Sequence, residues 1–313
     1  MRKIFSLICF IFIIFLSSCA TSLNVTVQRP AELDLNGAKT LAVLPFSTED
    51  GFLNFIFGSH SEEKIAYYLS DTLESKLLHS GYFSLVSPSK VKNAIKYNEE
   101  PLCDVYITGN IQSFMDKVHS KTEKEDDEQI EKFYRKVYFI VKYKVIDAKT
   151  QQIISVKQKT FEEESSSYEN PRDVPTAFNM MKNNLDSFIN NIIYKLEPHS
   201  VRKNISLLKD KSKNITMKYA NDLVKEGNIN LALEEFLNVY KATGLFEAGY
   251  NAARIMEAQG DYSKAENLMH ELYEKTGNKK SLEALKDIRY EINSKEKLEK
   301  QLSDRNNNTS GEK

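Results

Sequence analysis

FYRKVYFIVKYKVID (133–147) alternates with a period of two. Phe133, Val137, Phe139, Val141, Tyr143 and Val145 share one face, and Lys136, Lys142 and Lys144 share the other. That pattern predicts a half-buried strand, one side packed on a core and one side wet. Residues 147–152, Asp-Ala-Lys-Thr-Gln-Gln, are turn-like, and 153–161 return as the hairpin partner. Val174, Phe178, Met181, Leu185, Phe188, Ile192 and Leu196 then recur at helical spacing, so a closing helix should lie on the sheet.

Upstream, residues 39–46 (KTLAVLPF) are a short apolar run typical of a buried strand. Residues 47–60 read as a loop. Ser61 opens a helix with Glu62 and Glu63 in its first turn, where acids suit the helix dipole. Ile65, Tyr68, Leu69, Thr72, Leu73 and Leu77 make its stripe, and Gly81 ends it. Residues 82–86 form a strand, 89–96 a short helix and 104–114 a third strand. The charged stretch 121–132 is expected to be a solvated loop. Residues 19–36 read as a tether in which Val25 and Val27 have extended character before Pro30. The order predicts an α/β (α+β) sandwich over residues 37–197, with helices packed on a mixed sheet.

Four strings in this region, TLAVLPF (40–46), SGYFSLV (80–86), CDVYITGNI (103–111) and YKVIDAKTQQII (143–154), resemble successive blocks of one domain family. It is the α/β domain of curli-secretion-type (CsgG-like) lipoproteins, of the related penicillin-binding-protein activators and of the TolB amino-terminal domain. The blocks come in family order over about half the chain. The chain departs from the family twice. Gln151 stands where the turn usually carries Gly, and the insertion around 115–132 is charged where the curli channel has long amphipathic membrane hairpins. The resemblance therefore implies the fold and not the pore.

A repeat follows. YANDLVKEGNINLALEEFLNVYKATG (219–244) aligns with NAARIMEAQGDYSKAENLMHELYEKTG (251–277). Gly227 matches Gly260, Ile229 matches Tyr262, Ala232 matches Ala265 and Phe236 matches Met269, an offset of 33 positions throughout. That is close to the roughly 34-residue tetratricopeptide period. Gly at the turn permits a tight reversal, the small Ala lets helices approach, and the bulky Phe or Met fills the facing groove. Residues 198–292 are expected to be an all-α tetratricopeptide-like domain. It would have a leading helix within 198–210 through Val201, Ile205 and Leu208, and a capping helix through Leu282, Leu285, Ile288 and Ile292. By family position Asn221, Lys225, Tyr250 and Arg254 would line the concave face and are the candidate peptide-binding residues. The polar residues 293–313 read as a disordered tail.

The amino terminus carries its own message. Arg2 and Lys3 precede an apolar run at 4–16, then Ser17, Ser18 and Cys19. This is a signal-peptide layout over residues 1–18. Leu16-Ser17-Ser18-Cys19 resembles the bacterial lipobox, which implies cleavage before Cys19 and acylation of it with palmitate-type chains. Multiple acyl chains give stable anchoring. Ala20 is not the Asp that retains enterobacterial lipoproteins in the inner membrane, so the outer membrane, facing the periplasm, is the expected address.

The 313 residues carry a net charge of −1, which argues against nucleic-acid binding through a concentrated basic surface. With Cys9 in the signal peptide and Cys19 acylated, Cys103 is left without an intrachain partner and reads as buried filler. The five histidines are scattered, with no metal-binding spacing. No Walker loop and no Gly-x-Ser-x-Gly elbow occurs. The acid runs 125–128 and 162–164 read as solvated loops. No cofactor, metal or catalytic residue is assigned. The expected function is a non-enzymatic envelope lipoprotein, bound to the membrane through Cys19, that docks protein or peptide partners in envelope assembly. The alternatives are an oligomeric accessory of an outer-membrane secretion system and a cell-wall-acting enzyme.

Overall fold

The computed structural model describes residues 21–48, 61–100, 102–125, 128–210 and 212–307. The signal-peptide segment and Cys19 lie outside them. The chain divides into two compact units. One is Pro30–His199 together with the residues from Glu299 onward, and the other is Ser200–Leu298 together with the residues up to Arg29.

The first unit is built on a six-stranded sheet. Its strands are β2 (Thr40–Val43), β3 (Ser47–Thr48), β4 (Ser84–Leu85), β5 (Val105–Glu125), β6 (Glu128–Asp147) and β7 (Ile153–Glu164). The order is β4-β2-β5-β6-β7, with β3 also paired to β5. β4, β2 and β5 run parallel, and β5, β6 and β7 form an antiparallel meander, so the sheet is mixed, as the pattern predicts. Helices α1 (Ser61–Ser80) and α3 (Ala177–Leu196) bury Ile65, Leu69, Leu73, Met181, Leu185 and Ile189 in one core with Phe139, Val141 and Tyr143 of β6. α2 (Pro88–Tyr97) belongs to a smaller cluster holding Ala42, Val91, Cys103, Tyr106 and Ile146. The two clusters take alternate residues of β5, as a period of two requires.

Two backbone details shape this sheet. Gly109 lies under the ring of Phe46, and a Cβ there would sit 2.6 Å from Cε2. Gln151 adopts φ 59°, the left-handed conformation that Gly takes at least cost. Its side chain compensates, donating to Ala148 O at 2.6 Å and accepting from the Tyr106 hydroxyl at 2.8 Å.

The expected solvated loop at 121–132 is corrected: β5 and β6 remain paired out to Glu125 and Glu128. Its charges do not break the ladder because they answer one another across the strands. Glu123 lies 2.8 Å from Lys121 and 3.3 Å from Lys132, and His119 stacks on Tyr134 at 5.4 Å. These hydrogen bonds from Lys121 and Lys132 hold the Glu123 carboxyl below its ordinary range. The hairpin thus forms a two-stranded arm.

The disordered tail expected at 293–313 is corrected over 293–307, while 308–313 lie outside the described residues. α8 (Lys279–Asn307) continues as one helix. Its last turns dock through polar atoms rather than an apolar stripe, which hydropathy cannot see. Gln301 accepts from Ala31 N at 2.9 Å and donates to Ala31 O at 3.1 Å. Arg305 donates to Ala38 O at 2.8 Å and to Tyr82 O, and its guanidinium lies 4.2 Å from the Tyr82 ring centroid.

The second unit contains α4 (Ile215–Lys225), α5 (Ile229–Thr243), α6 (Phe246–Ala258), α7 (Tyr262–Thr276) and the start of α8. Asn214 caps α4 by accepting from Met217 N at 3.1 Å. Gly227 and Gly260, with φ of 83° and 82°, form the two equivalent turns between paired helices. The unit is not all-α: β1 (Ser22–Arg29) pairs with β8 (His199–Ser206) in a two-stranded ribbon. The predicted leading helix at 198–210 is therefore a strand. Val201, Lys203, Ile205 and Leu207 alternate, and the period of two wins over the i, i+4 reading of Val201 and Ile205.

Candidate functional site

α6 carries three of the buried polar residues of the helical unit. Asn251, Arg254 and Glu257 are all buried on it, an unusual density of polar groups for one helix. Asn251 grips the main chain of Leu208 at two points. Its Nδ2 donates to Leu208 O at 2.9 Å, and its Oδ1 accepts from Leu208 N at 2.7 Å. An extended segment of this chain is thereby held on the helices by its backbone as well as by the buried side chains of Ile205 and Leu207.

Lys203 of β8 supplies the electrostatic half of the site. Its Nζ donates to Glu257 Oε1 at 2.8 Å and to Glu291 Oε1 at 2.6 Å. Arg29 of β1 meets Glu291 in a two-pronged pair at 2.5 and 2.8 Å. Arg254 Nη1 lies 2.8 Å from Glu257 Oε2 and 3.4 Å from Asp287. The first of these contacts is close but poorly directed, since Glu257 Oε2 and Arg254 Nε both lack a hydrogen-bond partner.

The carboxylates respond in opposite directions. Burial raises Glu257, and the neighbouring cations Arg254 and Lys203 do not fully offset it. Burial pushes Glu291 up as well, but hydrogen bonds from Arg29 and Lys203 win and hold it below its ordinary value. Burial works against the charge of Lys203, and its two carboxylate partners outweigh that and raise it. Each carboxylate is thus already engaged by cations of the same chain.

The four sequence candidates do not form one open surface. Asn221 donates back to Met217 O in its own helix at 2.8 Å, and Lys225 is exposed and paired with Asp222 at 2.6 Å. Tyr250 and Arg254 are buried. Sequence reasoning missed Asn251, Lys203, Glu257, Glu291 and Arg29. The available signal was the alternation of 199–207, which turns Lys203 inward between Val201 and Ile205.

Elsewhere, an open cleft of 380 Å³ lies on the sheet face between Ser47, Thr108, Asn110, Gln112, Lys142 and Lys144. Cys103 is buried, and burial with the neighbouring Asp104 pushes its thiol up to about 11. Among the described residues no group of His, Cys, Asp or Glu is arranged to hold a metal ion, and no helix is long and apolar enough to cross a membrane.

No family model matches the chain, and no curated protein matches it by sequence. Solved structures do share similarity with part of it. The PelC dodecamer of Paraburkholderia phytofirmans is 14% identical over 56% of this chain and 98% of that one, with a TM-score of 0.29. A homologue of neuraminyllactose-binding hemagglutinin from Helicobacter pylori is 14% identical over 53% of this chain and 89% of that one, at 0.33. Lipoprotein GNA1162 of Neisseria meningitidis is 8% identical over 50% of this chain and 97% of that one, at 0.26.

Proposed function

We propose that this chain is a non-enzymatic lipoprotein of the cell envelope, anchored through acylated Cys19 in the outer membrane and facing the periplasm, that docks protein partners. In this reading the α/β unit is CsgG-like and the helical pairs are tetratricopeptide-like. The observation that carries it is the β5–β6 arm. Beyond the Arg135–Val118 register the arm keeps its strand pairing, exposes charged side chains and partly exposes His119, Phe133 and Tyr134, and is joined among the described residues by one further strand contact, the bridge between Phe133 and Tyr168. A long paired ribbon of this kind adds little to its own core and offers a partner both faces and two edges. Glu291, held ionised between Arg29 and Lys203, supports a binding role over acid–base chemistry there.

The test is a variant in which residues 121–132 are replaced by Asn-Gly, a two-residue turn suited to the hairpin. Crosslinking in living cells is then compared with wild type and with Cys19→Ala. Partners lost on shortening the arm, with folding unchanged by circular dichroism, support the proposal. The same partners captured without the arm would remove it.

A second reading, an oligomeric accessory of an outer-membrane secretion system, is favoured by β7. This strand is an outer edge of the sheet and exposes Ile153 and Val156. Such an edge can accept a strand from a second copy. Light scattering on the purified chain decides it: a monomer at all concentrations excludes this reading.

A further inference from the structure

We infer that the amino-terminal end of α4 is a membrane-contact surface that lies on an anionic lipid bilayer; this rests on the anchoring of the chain through Cys19. Cys19 precedes Thr21 by two residues, a span of at most about 7 Å. Thr21 O accepts from Leu207 N at 2.9 Å, so the segment leading into α4 begins beside the point where the anchor leaves the fold. Leu23, Leu207 and Met217 belong to one buried cluster, so β1, the segment after β8 and the first turn of α4 pack on a common core. Asp210 accepts from Ser212 N at 2.7 Å and from Asn214 N at 2.8 Å, tying the start of α4 to the end of the preceding segment.

What this end presents outward suits a lipid interface. Ile215, 85% exposed, is the most exposed large apolar side chain among the described residues, and Tyr219, 53% exposed, follows one turn later. Exposed Lys213 and Lys218 flank them, with Lys209, also exposed, nearby in sequence. An apolar tip with an interfacial tyrosine, ringed by lysines whose stems can reach along the surface, is the composition that enters a headgroup layer. The lysines favour anionic lipid. Asp222 is paired with Lys225, and Asp210 with loop amides, so neither carboxylate is left facing the bilayer unengaged.

The chain has no tryptophan, which makes a single substitution a clean reporter. The full-length lipidated protein carrying Ile215→Trp, Tyr219→Trp or, as control, Tyr67→Trp is reconstituted into vesicles of phosphatidylethanolamine and phosphatidylglycerol. The proposal expects a blue shift and quenching by brominated acyl chains at 215 and 219, weaker in purely zwitterionic vesicles and absent at 67. Vesicle flotation of wild type with a water-exposed Trp at 215 and 219 would overturn the surface while leaving the anchor intact. Absence of a diacylglyceryl mass on Cys19 would overturn both. A blue shift that rises with protein concentration and needs no vesicles would assign the patch to a second copy instead, and also overturns it.

Discussion

Asn251 satisfies both main-chain polar groups of Leu208, donating to its carbonyl and accepting from its N–H, from a position on α6 with no solvent exposure. Asn251→Ala strips that N–H and C=O of their partners where water has little access. Leaving buried polar groups unpaired costs about 2 kcal/mol. The helical unit should lose that much stability in urea, and the Leu208 amide should exchange faster by a larger factor than amides in α5. Equal acceleration everywhere would mean that Asn251 acts on packing rather than on this segment.

The cluster around Lys203 predicts a pH dependence with a defined sign. Glu291 titrates below its ordinary value of 4.5 in the folded chain, so its contribution is complete above that value and is lost as pH falls through the lower folded value. Glu257 is raised, so it contributes most when protonated, and that contribution is lost as pH rises through its folded value. Glu291→Gln should therefore destabilise at pH 7, with the gap to wild type closing in strongly acidic buffer. Glu257→Gln should cost less at pH 7 than at face value its two cations suggest. Lys203→Met removes the cation that two buried carboxylates share and should cost about 3 kcal/mol. Urea melts across the acid range check all three.

Much of the α/β unit is legible in the sequence because its signals are periodic. The alternation at 133–147 and the stripe from Val174 to Leu196 each have one interpretation. The failures share a cause: the deciding contacts are polar. Glu123 between Lys121 and Lys132 turns a charged stretch into strand, and Gln301 and Arg305 dock a helix that carries hardly any apolar residues there. Inward-facing Lys203 disguises a strand as a helix. The site was illegible for the same reason, since Lys203 and Arg29, which bind Glu257 and Glu291, lie far away in sequence.

Gly109 and Phe46 give a test of packing in the sheet. Gly109→Ala places a methyl 2.6 Å from Phe46 Cε2, and the ring is buried and cannot simply swing out. Overpacking of this kind costs about 1–3 kcal/mol. Phe46→Leu alone should also destabilise, through lost burial. The double variant should be more stable than the sum of the two single losses, because the shorter side chain removes the clash. Strict additivity in thermal melts would show that the strand itself shifts to admit the methyl.

The base of the arm rests on one ion pair. Arg135 Nη1 meets Asp116, whose side chain is 3% exposed, while Arg135 Nε donates to Pro175 O at 2.8 Å. Asp116 is in register with Val137, a core residue, so the pair sits where the covered sheet becomes the open arm. Removing one partner strands the other charge in a poorly solvated place, at a cost of about 3 kcal/mol. Arg135→Met and Asp116→Leu should each destabilise by that order and speed exchange of amides in the outer arm. The double variant replaces two charges by two apolar groups and should recover most of the loss, because neither desolvated charge remains. Recovery of stability with arm exchange still fast would mean that the Pro175 contact, which the double variant also lacks, holds the arm in place.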